Sequence, residues 1–294
     1  VSDSMTVKWQ RAGNRRLEEP SVALLARDAE VTVKDCHFVA LGNNTRCPSA
    51  VLAVGTSTVN LEESYFYAFD FTVQFAGGVE GSVKKCVFVE SGHCGVTVSS
   101  DSTVTVRDSL VTGSAYHGLR CTGSELTVEN CLLVENRNRG IYLGNRTARG
   151  RVVNNIIMNN SVGISGYSHS KVEIANNLIL GSTHAGLAFE GTCRLKVENN
   201  IFKDNARGLC LSDKDGNMKS SFDRNNFWAN ETDCEYMDLP AESLKLDPRF
   251  KNPEAGEFLL GEAGLKSSPQ GLIYPANLTA LWDIWLKIKD PDQP

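Results

Sequence analysis

No CxxC pair and no run of His, Cys, Asp or Glu at metal-ligand spacing occurs in these 294 residues. A zinc-type centre is thereby removed as the organising element of the fold, and no cofactor is expected. No apolar run approaches the roughly 18–20 residues that would span a bilayer. Basic residues are not in excess: 30 Lys and Arg stand against 35 Asp and Glu, a net charge of −5. Nucleic acid or an anionic membrane would call for a basic stripe, so neither is expected as a partner. The opening Val1-Ser2-Asp3-Ser4 carries no charged-then-apolar leader pattern. It starts in mid-pattern, and the expectation is a module of a larger bacterial protein with a neighbouring domain.

The nine cysteines are an odd number, and three of them, Cys36, Cys86 and Cys131, share one column of a repeat. If coils stack ~4.8 Å apart, two coils separate these thiols by roughly 9–10 Å, beyond the ~7 Å Cα limit of a disulfide. They read as small buried residues in a reducing compartment, which places the chain in the cytoplasm or on the cytoplasmic side of a membrane.

What is present is a period. Gly95, Gly118, Gly140, Gly163, Gly186 and Gly208 are spaced 23, 22, 23, 23 and 22 residues apart, each followed by Val, Leu or Ile. A second column is filled by Cys36, Ser64, Cys86, Ser109, Cys131, Asn155, Asn177, Asn200 and Asn225. A fixed period near 22 describes units that cannot bury their own apolar face and must stack on their neighbours. Alternation such as Val31-Thr32-Val33, Val104-Thr105-Val106 and Val172-Glu173-Ile174 has period two, the mark of a strand with one buried face. No 10-residue stretch of the repeats has a 3.6 period, which disfavours helical repeats.

Each unit therefore divides into three strands: Gly-Leu-x-apolar, then Val-x-Val, then a tight bend at the Cys/Ser/Asn column and a third strand. The third strand carries Phe38, Phe66, Phe88, Val111, Leu133, Ile157, Ile179, Phe202 or Phe227 two positions after the bend. Stacked, these make an internal ladder. Asn155, Asn177, Asn200 and Asn225 are expected to line up and bond along the stack, since an amide both donates and accepts. A further polar column, Ser91, Ser114, Asn136, Asn160, Ser182, Asn205 and Asn230, reads as turn residues bonding local backbone.

Val197-Glu198-Asn199-Asn200-Ile201-Phe202 and its relatives resemble the right-handed parallel β-helix repeat of the pectin-lyase-like superfamily, with its carbohydrate-binding and sugar-hydrolase repeats. The resemblance covers about residues 22–232. Asp247-Pro248-Arg249-Phe250 and Pro253-Glu254-Ala255-Gly256-Glu257-Phe258 resemble a tail that often closes bacterial members. The expected fold is all-β: a three-sheet solenoid of about nine coils over 22–232. Residues 1–21 form an irregular segment or partial coil, and 233–294 a tail. Leu278, Leu281, Trp282, Trp285, Leu286 and Ile288 fall at helical spacing between Pro275 and Pro291. They predict an amphipathic helix over about 277–289, a candidate cap for an exposed end of the stack.

The resemblance implies a saccharide along the outer face of the first sheet. Outward positions there are Gln74, Thr97, Arg120, Tyr142, Ser165, Ala188 and Cys210, and the positions just before the strand are Cys94, His117, Arg139, Val162, Ala185 and Arg207. His117, Arg120, Arg139 and Tyr142 should form one patch, with Tyr116 and Tyr167 nearby. Arg can hold a uronate carboxylate, Tyr can stack on a ring, and His or Tyr can move a proton. The residue sets that the resemblance associates with catalysis are missing: no Asp-Asp pair, no Asn-Thr-Asp, no acidic calcium cluster and no Asp-Pro-His-Asp. On this face only Glu190 and Asp213 come close. His37, His93, His169 and His184 read as turn or surface residues without metal spacing. Sequons start at Asn43, Asn145, Asn159, Asn230 and Asn277, a by-product of Asn- and Ser-rich turns. The expected role is a non-catalytic binding or scaffold module for an anionic saccharide or a protein. The alternative is a lyase- or hydrolase-like enzyme acting on an anionic polysaccharide through the same face.

Overall fold

The computed structural model describes residues 5–10, 22–41, 49–144, 147–167, 169–212, 219–253, 256–260 and 277–290. They form a right-handed parallel β-helix of about nine full coils. The first sheet has ten strands, from Val22–Arg27 to Thr232–Glu235. The second has nine, from Glu30–Lys34 to Lys219–Asp223, and the third has ten, from Met5–Gln10 to Asn226–Trp228. Within these three sheets every inner strand pairs in parallel with its counterpart one coil before and after, as Val104↔Leu126 and Val106↔Val128 illustrate; Phe250–Asn252 and Glu257–Leu260 form a separate antiparallel pair in the tail. Met5–Gln10 pairs with Cys36–Leu41, so the chain start adds an edge strand to the third sheet.

The period-two alternation becomes burial. In Thr103–Arg107 only Val104 and Val106 are buried, and in Arg194–Glu198 only Leu195 and Val197. Inside the third sheet, Phe38 stacks on Phe66 with ring centroids 5.0 Å apart, and Phe66 on Phe88 at 4.9 Å. The column continues through Val111, Leu133, Ile157 and Ile179 and ends on Phe202 and Phe227, 5.0 Å apart.

The bend column is a ladder. Asn155 donates its backbone N–H to Asn177 Oδ1 at 3.0 Å and its amide Nδ2 to the same oxygen at 2.9 Å. Asn177 repeats both bonds to Asn200 at 3.0 and 2.9 Å, and Asn200 to Asn225 at 3.0 Å each. The residue before each bend, from Asp35 and Glu63 through Asn154, Asn176, Asn199 and Arg224, has φ between 46° and 57°. A left-handed residue there turns the chain within two positions, and Asn and Asp tolerate it best. The second polar column does more than the local bonding expected of it. Asn136 N–H reaches Asn160 Oδ1 at 2.9 Å and Asn205 N–H reaches Asn230 Oδ1 at 3.0 Å, one coil on. Cys36, Cys86 and Cys131 are buried and free; Cys47 lies outside the described residues.

The tail bears out a helix packed on the β-helix and corrects its expected place as an end cap. The helix Asn277–Lys289 lies along the flank of the stack instead of across an end, against the outer side of the third sheet. Leu110, Leu132, Ile156, Met158, Leu178 and Ile201 form there a strip too apolar for water, and Leu281, Trp282, Trp285 and Phe258 bury it. Burying such area is worth ~25 cal/mol per Å², and this contact draws the helix sideways. Lys289 Nζ meets Glu135 Oε1 at 2.7 Å. The C-terminal edge is covered instead by Leu244–Leu246: Leu244 N–H donates to Asn225 O at 2.8 Å, and Leu246 N–H to Asn226 Oδ1 at 2.9 Å. Pro275, Pro291, Glu254, Ala255 and the Leu278 side chain lie outside the described residues.

Candidate functional site

The register of the first sheet places the expected columns together. Gln74, Thr97 and Arg120 are neighbours, then Tyr142, Ser165, Ala188 and Cys210, one residue per coil. In the adjoining column Cys94, His117, Arg139, Val162 and Ala185 follow one another. His117, Arg120, Arg139 and Tyr142 are thus brought into one patch. Arg120 and Arg139 are half-buried and make no ion pair with any described residue. Arg139 Nη1 donates to Asn138 Oδ1 at 3.1 Å, and its guanidinium lies over the Tyr142 ring, 5.3 Å from the centroid.

His117 departs from the expected exposed position. It is only 2 % exposed, because the rings of Tyr116 (4.0 Å) and Tyr142 (5.1 Å) cover it from its own turn and from the next coil. Burial, helped by Arg139, Arg120 and His93, pushes its pKa down to about 3, so the imidazole is neutral at pH 7. Its Nδ1 is shielded and has no partner among the described residues, as is true of Thr97 Oγ1, Arg139 Nε and Ser165 Oγ on the same face. Buried polar atoms are almost always paired; four unpaired ones on one sheet face make this surface unusual.

Two further residues join the patch. Phe71 stacks on His93 at 4.3 Å, and the Tyr116 ring meets His93 tilted by 47°, with centroids 4.8 Å apart. An aromatic stripe therefore runs along the coil axis from Phe71 to Tyr142. His93 is half-buried within it, and its Nδ1 sits 3.0 Å from Cys94 Sγ. Sequence reading set His93 aside as a turn residue. A ring just before the strand at His93 and Tyr116, with Phe71 at the first position of the preceding strand, is the signal that would have found it. His37, His169 and His184 are exposed.

Beyond Tyr142 the face sinks into a groove of about 660 Å³, lined among others by Arg139, Tyr142, Tyr167, His184, Glu190, Arg207, Glu235 and Tyr236. Tyr167 is 51 % exposed. Arg207 pairs with Glu235 at 2.6 Å and donates to His184 O at 3.2 Å, while Cys210 Sγ donates to Glu235 at 3.4 Å. Glu190 is exposed and makes no ion pair with any described residue. Glu235 was missed. It extends the Arg120–Cys210 column by one coil, but Asp233 replaces the repeat's glycine there and hides the pattern. Asp213 lies outside the described residues. Among the described residues, no three His, Cys, Asp or Glu side chains are placed to hold a metal ion. The sequon residue Asn159 is exposed, whereas Asn230 is tied into the ladder; Asn43, Asn145 and the Asn277 side chain lie outside the described residues.

Comparison with known proteins matches the family model for a right handed beta helix region over residues 21–179 and 122–238. No match was found among curated proteins by sequence. Among solved structures, the periplasmic alginate epimerase AlgG is similar, with a TM-score of 0.55, 12% identity and 77% of each chain covered. The pectate lyase Pel9A is similar with a TM-score of 0.54 and 12% identity, over 93% of this chain and 80% of that one. At such identities the likeness concerns the fold alone.

Proposed function

The chain belongs to the right-handed β-helix family, and on that premise we propose that the outer face of its first sheet binds an extended acidic saccharide without turning it over. The observation that carries this reading is the pair Arg120 and Arg139, on neighbouring strands of one face with no carboxylate partner among the described residues. Two guanidiniums in one patch repel each other modestly, and a bound carboxylate or sulfate removes that repulsion. The aromatic stripe offers rings on which sugars stack. The similar structures carry the names of an alginate epimerase and a pectate lyase, which refer to acidic polysaccharides.

Chemistry fits less well. A histidine held at about 3 is a weak base at neutral pH, and Glu235 is committed to Arg207. One observation favours the enzymatic alternative, a lyase- or hydrolase-like activity: the groove collects Tyr167, Glu190 and Glu235. The test is calorimetric titration with short uronic-acid oligosaccharides at low and high salt. Binding is expected, weakening with salt, and Arg120→Ala should cost ~1.5–3 kcal/mol, the worth of a charged hydrogen bond. Absence of binding at low salt would overturn the reading. Release of unsaturated or reducing ends by the pure protein would overturn its non-catalytic part.

A further inference from the structure

Resting on that binding reading, we infer that the groove reads its saccharide in one direction and selects a chain of mixed acidic and neutral sugars over a pure polyuronate. The inference starts from an asymmetry of charge along the coil axis. At one end, Arg139 in the groove and Arg120 on the neighbouring strand make no ion pair with any described residue. At the other, Glu190 makes no ion pair with any described residue, in a column where Tyr167 precedes it by one coil and Ser212 follows it.

The remaining charged groups of the groove do not erase this polarity. Arg207 and Glu235 neutralise one another at 2.6 Å, and His184 lies beside that pair, with its carbonyl accepting from Arg207. Among the described residues, Glu190 is therefore the uncompensated charge at its end, as Arg120 and Arg139 are at theirs. Three coil steps separate Arg120 from the coil of Glu190, about 14 Å along the axis at the usual strand spacing. That length takes a short oligosaccharide.

A polyuronate presents a carboxylate on every ring. If one of them lies on Arg120 and Arg139, another is carried against Glu190, and the two anions repel. A neutral ring at that position has the opposite effect. A carboxylate has two oxygens and accepts from two neighbouring hydroxyls at once, and the exposed Tyr167 ring one coil earlier offers a platform for a sugar's apolar face.

The test titrates the intact chain with two probes, a short oligogalacturonate and an oligosaccharide of equal length alternating glucuronate with N-acetylglucosamine. Wild type should bind the alternating chain more tightly. Glu190→Gln should strengthen oligogalacturonate binding about tenfold, the size of one modest charge repulsion, and weaken the alternating chain severalfold. Arg120→Ala should weaken both. Glu190 is exposed, and an unchanged melting curve for Glu190→Gln confirms that the variant is folded. Equal or tighter binding of oligogalacturonate by wild type, with Glu190→Gln inert, overturns the selectivity and leaves the binding reading standing. Failure of wild type to bind either probe sinks the binding reading itself.

Discussion

The two halves of the solenoid meet the same sharp bend with different chemistry. In the first coils the bend column alternates Cys36, Ser64, Cys86 and Ser109, and each serine accepts a single N–H from the cysteine before it, at 3.2 Å for Ser64 and 3.1 Å for Ser109. From Asn155 onward each amide makes a two-fold connection to the next coil. It also donates to carbonyls one coil back, as Asn177 Nδ2 does to Val152 O at 2.8 Å. The interior does not divide at the same point. Phe38, Phe66 and Phe88 stack beside Cys36, Ser64 and Cys86, aliphatic residues from Val111 to Ile179 stand beside the bends from Ser109 to Asn177, and Phe202 stacks on Phe227 beside Asn200 and Asn225. The first coils thus have stacked rings without amides, whereas the last coils have both. Cys131 marks the junction, its backbone N–H already given to Asn155 Oδ1 at 2.9 Å.

The sharpest way to break this contrast is to delete a ring. Phe88→Ala should cost ~3–5 kcal/mol in denaturant unfolding, and a loss below ~1 would mean the rings are not what holds the early coils. Asn177→Ala should cost ~2–4 kcal/mol, because Asn155 loses the oxygen that takes two of its donors in a buried setting. A cost matching that of an exposed asparagine would reduce the ladder to ornament.

Acid probes the coil between the halves, where His117 sits. An unfolded histidine titrates near 6.5, whereas folding holds this one at about 3. Between those values the unfolded chain binds more protons, so stability present above pH 6.5 is lost as pH falls toward 3. The slope is at most ~1.4 kcal/mol per pH unit, and His117→Gln should flatten it in unfolding curves taken across that range.

The smallest expected effect sharpens the comparison most. Cys131 Sγ points at Glu129 O (3.2 Å) and Val106 O (3.6 Å), where an amide in the ladder would direct its Nδ2. Cys131→Asn should therefore be neutral or stabilise by up to ~1 kcal/mol, extending the ladder by a coil. Its thiol, like that of Cys86, is pushed up to about 12 by burial. Labelling of both in the native protein should be slow.

Most of the fold was legible because a parallel solenoid writes its register into the sequence: residues one period apart become neighbours, as Arg120 and Tyr142 do. Columns of the site were legible for the same reason. The burial of His117 was not, since it depends on how the rings of Tyr116 and Tyr142 close over it, and no strand pattern encodes that packing. Glu235 was obscured where the repeat decays into its last coil. The helix announced an apolar face but not its destination. That destination was partly written in the third-sheet strands, where Leu110, Leu132, Ile156 and Leu178 stand beside residues already facing inward.

The flanking helix bears on the order in which the chain can finish folding. A solenoid propagates by nearest-neighbour contacts, each new coil settling on the one before. The strip from Leu110 to Ile201 is different, because its cover comes from Phe258, Leu281, Trp282 and Trp285, far along the chain. During synthesis those coils complete their interior while an oily flank faces water, and such transient surface invites association between chains. Once docked, the helix ties several coils into one cooperative block, so the middle of the stack cannot open a coil at a time without first releasing the tail.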